Sequence, residues 1–215
     1  YRGVAESLVV VSNSARRLPA SLAAKVDAFV PRTNLGYDFA AWRDGLATLA
    51  AGHHDEVICV NDSVFGPLFD LAGALDHDRV AAADLWGMVL SDQNTSREAP
   101  RIPHLQSWFL GLRRPLLESD ACDAFWRSVK PLGSKRDVVE QYEIGFSARM
   151  AAAGFRVAGL GAIPHLGDDA RRPAGAVGLA ADEDLAPDGL AGDPGDGDDH
   201  RGVVQASQRP QLGTG

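Results

Sequence analysis

The sequence predicts an α/β fold with a largely parallel sheet flanked by helices. Short apolar runs, Leu8–Val11 and Val57–Val60, stop abruptly at the polar triplets Ser12-Asn13-Ser14 and Asn61-Asp62-Ser63. Such runs suit strands buried on both faces. Segments of helical spacing alternate with them along the chain. Helix punctuation falls between them, with Asp38 and Ser119-Asp120 placed as N-caps and Gly154 as a C-terminal stop.

In chain order, Leu8–Val11 is a strand and Leu18–Ala28 has helical spacing, with Phe29-Val30 as a short strand. Residues 31–37, PRTNLGY, form a loop that feeds a helix over Phe39–Ala51, and the Asp38 carboxylate is placed to accept its first amides. Val57–Val60 is a strand closed by a Gly66-Pro67 turn. Leu71–Ala83 is helical and Asp84–Leu90 is a strand. Ser91–Pro103 is a polar loop long enough to act as a flap. Leu105–Leu112 is strand-like, a helix follows to about Val129, another covers Val138–Ala153, and Phe155–Leu160 is the last strand. The division is therefore an α/β domain over residues 1–167 and an acidic Gly/Pro/Asp-rich tail over 168–215, expected to be disordered. The chain opens one short turn before its first strand, which predicts that further domain sequence precedes Tyr1.

The 215 residues are enough for one domain with a real core, and 45% are hydrophobic. No apolar run reaches the roughly 20 residues that span a bilayer. The net charge is −8, much of it after Asp168, and a basic face of the kind that binds nucleic acid is absent from the sequence pattern. Cys59 and Cys122 are expected to be reduced, buried small residues, which suits a cytoplasmic protein.

Open α/β sheets bind ligands beyond the C-terminal ends of their strands. Asn61-Asp62-Ser63 lies at such an end. It suits a cation or diphosphate contact, and equally a plain Asx turn leaving the strand. The loop with Arg32, Asn34, Gly36 and Asp38 leads into a helix N-terminus, where anions bind; an ordinary capped loop has the same composition. In an alternating strand His104, Gln106 and Trp108 share one face, and polar groups beside an aromatic ring suit a sugar or nucleotide. Glu143 suits either a general base at a cleft edge or a residue favoured by a helix dipole. His165 follows the last strand, where a histidine is a metal ligand or a surface residue.

Taken together, VVVSNS, RTNLGYDFAAWRDGL, DEVICVNDSVFGPLF, DLWGMVLSD, HLQSWFLGLRRPLLES and YEIGFSARMAAAGFRVAGL resemble the rhamnan synthesis protein F family from about Leu8 to His165. That family comprises glycosyltransferases of bacterial cell-surface polysaccharide assembly, cell wall and lipopolysaccharide included. The resemblance implies a GT-A-like, Rossmann-related sheet that has lost its first strand. It implies an inverting hexosyltransferase, moving rhamnose from dTDP-rhamnose or a similar nucleotide-sugar to a glycan or lipid-linked acceptor. The place implied is the cytoplasm, extending to peripheral association with the inner face of the plasma membrane. By the same resemblance, Glu143 is the catalytic base. Ser12, Asn13, Arg32, Asn34, Gly36, Asp38, Asn61, Asp62 and Ser63 hold the donor, and His104, Gln106 and Trp108 face sugar or acceptor. Asp62 and His165 are the implied ligands of Mg²⁺ or Mn²⁺. Asn61 stands where the Asp-x-Asp metal motif of such folds carries its first aspartate, which weakens that last expectation.

A non-catalytic sugar- or nucleotide-binding module, or an inactive fragment, of a polysaccharide assembly protein is the alternative. A Rossmann-like nicotinamide or methyl-transfer domain is disfavoured, because the first strand-to-helix turn lacks the glycine-rich fingerprint.

Overall fold

A computed structural model describes residues 5–14, 17–63, 71–94 and 100–162, and the backbone of 201–207. All belong to one compact unit. The strands are β1 (Ser7–Ser12), β2 (Ala28–Pro31), β3 (Glu56–Asn61), β4 (Leu85–Ser91), β5 (His104–Leu105), β6 (Phe109–Arg113), β7 (Val157–Ala162) and β8 (Arg201–Ser207). They form one sheet in the order β2-β1-β8-β3-β6-β4-β5, with β7 paired to β4. The helices are α1 (Ala20–Ala23), α2 (Tyr37–Leu49), α3 (Ala72–Leu75), α4 (Asp78–Ala81), α5 (Arg114–Leu117), α6 (Asp120–Ser128), α7 (Lys135–Val138) and α8 (Gly145–Ala152). A π-helical segment, Val139–Ile144, joins α7 to α8.

The expected mixture of strands and helices is present, but the sheet is not largely parallel. Among the described residues only β1/β2 and β4/β7 pair in parallel. The pairs β1/β8, β3/β8, β3/β6, β4/β6 and β4/β5 are antiparallel. The expected strand Leu105–Leu112 is interrupted by a turn at Ser107–Trp108 into β5 and β6. Both run antiparallel to β4, and β6 lies between β3 and β4 against both. Even so, β1, β2, β3, β4 and β7 point the same way, so their C-terminal ends gather at one edge of the sheet.

Other expectations are also corrected. Residues 201–207 of the tail form β8, between β1 and β3. The helix expected over Leu18–Ala28 is only the four-residue α1. Leu71–Ala83 is two short helices rather than one, broken where His77 caps α4 by accepting from Arg79 N–H at 3.1 Å.

Burial on both faces of β3 is as the apolar run predicts. Val57 and Cys59 join Val9, Val11, Leu85, Leu110 and Leu112 in one core layer, under α2, α6 and α8. Ile58 and Val60 join Trp86, Phe109, Leu71 and Val80 in a second layer on the opposite face. In the first layer Phe39 is the hub, with ring centroids 5.1 Å from Trp42, 5.7 Å from Tyr142 and 6.0 Å from Trp126. These edge-on and offset rings lock α2 against the helical run that carries Glu143. Both cysteines are free and buried. Burial raises both thiols, Cys122 up to about 12, so both stay neutral and act as small apolar residues.

The entry to α2 differs from expectation. Its N-cap is Gly36, at φ 82°, not Asp38, and Asp38 lies in the first turn. Tyr37 is also left-handed, at φ 53°. A Cβ on Gly36 would lie 2.7 Å from Pro131 Cα and 2.8 Å from Ala40 Cβ. Gly36→Ala therefore combines left-handed strain with a backbone clash. Urea unfolding should show a loss of roughly 2–4 kcal/mol.

Candidate functional site

A cleft of about 300 Å³ opens at the edge where the strand ends gather. Among its lining residues are Asp38 from α2, Asn61 and Ser63 from the end of β3, and Gln106, Ser107 and Trp108 from the β5–β6 turn. Lys135 and Glu143 line it from the helical run. Three chain segments far apart in sequence are tied together here. Asn61 N–H donates to Trp108 O at 3.2 Å, joining the end of β3 to the turn. Asn61 Nδ2 donates to Asp38 Oδ2 at 3.0 Å, joining it to α2.

The Glu143 side chain is held in place within the cleft. Its Oε2 accepts from Ser107 N–H at 2.8 Å and also from the Ser107 hydroxyl. Its Oε1 lies 3.9 Å from His104 Nε2. His104 is buried, and its Nδ1 lies 2.7 Å from Ile102 O. A carbonyl only accepts, so Nδ1 carries a hydrogen and Nε2 is the atom turned to Glu143. Leu105 N–H donates to Ser147 Oγ at 3.0 Å, which pins β5 to α8 and holds both partners in place. Glu143 lies on the π-helical segment, where one extra residue per turn re-aims side chains, a feature common at functional sites. Nearby Glu140 instead pairs with Arg136 at 2.9 Å on the surface.

The other expected residues divide into two groups. Asp38, Asn61, Ser63, Gln106 and Trp108 meet Glu143 in the cleft, and His104 supports it from behind. The face-sharing expected of a straight strand is therefore replaced by a turn: Gln106 and Trp108 face the cleft, with Trp108 Nε1 donating to Gln106 Oε1 at 3.2 Å, while His104 is inside. Ser12, Asn13, Arg32, Asn34, Gly36 and Asp62 are not among the described lining residues. Arg32 is engaged within the fold, its NH1 donating to Asn13 Oδ1 at 2.7 Å and its NH2 to Leu35 O at 2.7 Å. Its Nε lies 3.0 Å from Asp44 Oδ2, in poor geometry for a hydrogen bond. Burial pulls the guanidinium below its ordinary value, against the pull of Asp44. Asn13 Nδ2 is buried with no partner among the described residues, and nothing described accounts for it. His165 lies outside the described residues. Ser107, Tyr37 and Lys135 line the cleft and were not singled out by the sequence, although Ser107 sits inside the HLQSWF motif.

The described residues at this end of β3 do not by themselves assemble a ligand set for a divalent cation. Asn61 Oδ1 accepts from Ser63 N–H at 3.0 Å, the Asx turn, and its amide nitrogen donates to Asp38. Asp62 is exposed. No three His, Cys, Asp or Glu side chains come together for a metal among the described residues.

The fold and the cleft define a mixed α/β domain with a polar, aromatic-sided site at its strand ends. The sequence profile of the rhamnan synthesis protein F family matches residues 8–162, and the chain belongs to that family. The family is named for rhamnan synthesis. The chain is similar to the uncharacterized protein y4gN of Sinorhizobium fredii (strain NBRC 101917 / NGR234), with 29% identity over 133 residues, 61% of this chain and 34% of that one. It is 27% identical over 168 residues to virulence protein VirA of Vibrio anguillarum, 75% of this chain and 51% of that one. The chain thus spans about a third to a half of the length of these curated relatives. No solved structure matches it. No helix among the described residues is long and apolar enough to cross a membrane.

Proposed function

We propose that the cleft is the active site of a glycosyltransferase that moves a sugar, rhamnose by family membership, from a nucleoside diphosphate donor to an acceptor hydroxyl. The observation that carries this is the Glu143 carboxylate, aimed into the cleft and held at one oxygen by two donors of Ser107. Such fixation leaves Oε1 to take a proton, and a base must be placed before it can act. In the transfer, the acceptor oxygen attacks the anomeric carbon and its proton passes to Glu143. The bond from that carbon to the diphosphate breaks, and the nucleoside diphosphate leaves with the electron pair. Attack from the side opposite the leaving group inverts the anomeric centre. Trp108 offers an apolar face for the sugar ring, and Gln106 and Asp38 offer acceptors and donors for its hydroxyls. The GT-A-like sheet is part of the same proposal, supported by the common direction of β1, β2, β3, β4 and β7. The acceptor, a glycan or lipid-linked saccharide, and work at the inner membrane face are proposed from family membership.

The test is to incubate the chain with a panel of nucleotide-sugars, dTDP-rhamnose included, and rhamnan-type acceptors, and to follow nucleoside diphosphate release. Acceptor-dependent release is expected for at least one donor. A folded chain that releases none would sink the enzymatic function. The engaged Asn61 specifically favours a second role, a sugar-binding module; it would show as binding of free saccharide with no turnover.

A further inference from the structure

We infer that Lys135 supplies the positive charge that holds the donor's diphosphate, in place of a divalent cation. This rests on the nucleotide-sugar function proposed above and deepens it. A departing diphosphate needs fixed positive charge beside it. The two groups expected to provide that charge are otherwise engaged. Arg32 spends its NH1 and NH2 on Asn13 and Leu35 and pairs through Nε with Asp44, and it is not among the described lining residues. The triplet at the end of β3 has its Asn61 amide bonded to Ser63 and Asp38, and the described residues assemble no metal shell.

Lys135 remains. It is the one Lys or Arg among the described lining residues, sharing the cleft with Asn61, Ser63 and Glu143. It is exposed, and its ammonium has no hydrogen-bond or ion-pair partner among the described residues, so it can swing to a phosphate. Its backbone is nevertheless fixed. Ser134 caps α7 by accepting from Asp137 N–H at 3.3 Å, and Tyr142 OH grips the preceding loop, accepting from Lys130 N–H at 2.8 Å. The cation and the Glu143 base thus ride on one continuous helical run, so nucleotide seating and base placement are set by the same element.

The experiment titrates the chain with dTDP and with UDP by calorimetry, once in EDTA and once in Mn²⁺. Wild type should bind one of them in EDTA. Lys135→Met should weaken that binding about ten- to hundredfold, as expected for one charge-assisted contact, and flatten its salt dependence. Lys135→Arg should restore most of it, while Lys130→Met, which removes an exposed lysine outside the described lining, should bind as wild type. Binding that needs Mn²⁺, or a folded Lys135→Met that binds as wild type in EDTA, overturns the assignment. If wild type binds neither nucleotide under either condition but binds free saccharide, the donor function fails first and Lys135 falls with it.

Discussion

Glu143→Gln should lower kcat for glycosyl transfer by about 10²- to 10⁴-fold, the range set by removing a positioned general base. Glutamine is nearly isosteric, and its side-chain oxygen can still accept from Ser107 N–H and the Ser107 hydroxyl. Its amide would face His104 Nε2, which lies 3.9 Å from Oε1 in the native chain and has room to accept. Folding should therefore be unaffected, and the melting temperature should stay within a degree or two of wild type. Because deprotonation of the acceptor belongs to the transition state, the loss should appear in kcat more than in KM. A steady-state assay with the best donor from the panel measures both. A folded variant that keeps wild-type turnover would remove Glu143 from the base role, and the cleft would then be a binding site only.

Much of the layout was legible, for reasons that can be traced. The run Val57–Val60 has no polar residue to turn outward, so it could only be a strand covered on both faces, and it is. The end of that strand marked the edge of the sheet where the cleft opens. What the sequence could not show was set by partners distant along the chain. Strand direction depends on where β6 is threaded, and apolar periodicity is the same either way. The π-helical segment Val139–Ile144 has ordinary helix-forming composition; its register is set by Tyr142 reaching Lys130 and by the aromatic packing on Phe39. Arg32 looked like a phosphate ligand because nothing within the loop itself showed that Asn13 and Asp44 would capture it. Asp38 looked like a cap because the left-handed Gly36 and Tyr37 start the helix two residues sooner than composition suggests. Ser107 was read as one more residue of an alternating strand, and only the turn makes it the clamp on Glu143.

The largest expected loss of stability lies at the other end of β3, at a residue that composition would place on the surface. Glu56 is 1% exposed. Its Oε1 accepts from Trp86 Nε1 at 2.5 Å and from Arg113 Nε at 3.2 Å. Gly111 makes this arrangement possible, since a Cβ there would lie 2.1 Å from Trp86 Nε1. Arg113 also donates through NH1 to the carbonyls of Val80, Ala81 and Ala83, at 2.8 Å to the first and 3.1 Å to the last. It therefore ties α4 to the sheet as well as neutralising Glu56. Arg113→Met removes the guanidinium from beside that buried carboxylate and strips three carbonyls of a donor. Breaking a buried ion pair by removing one partner costs about 3–5 kcal/mol. Glu56→Gln should cost less, roughly 1–2 kcal/mol, because the amide oxygen still accepts from Trp86 and Arg113 keeps its carbonyls. The double variant separates charge from packing. If the buried charge dominates, Arg113→Met/Glu56→Gln will be more stable than Arg113→Met alone, an interaction energy of opposite sign to simple additivity. Urea unfolding of the four proteins at neutral pH gives all of these values. A double variant less stable than Arg113→Met would instead assign the loss to the severed tie between α4 and the sheet.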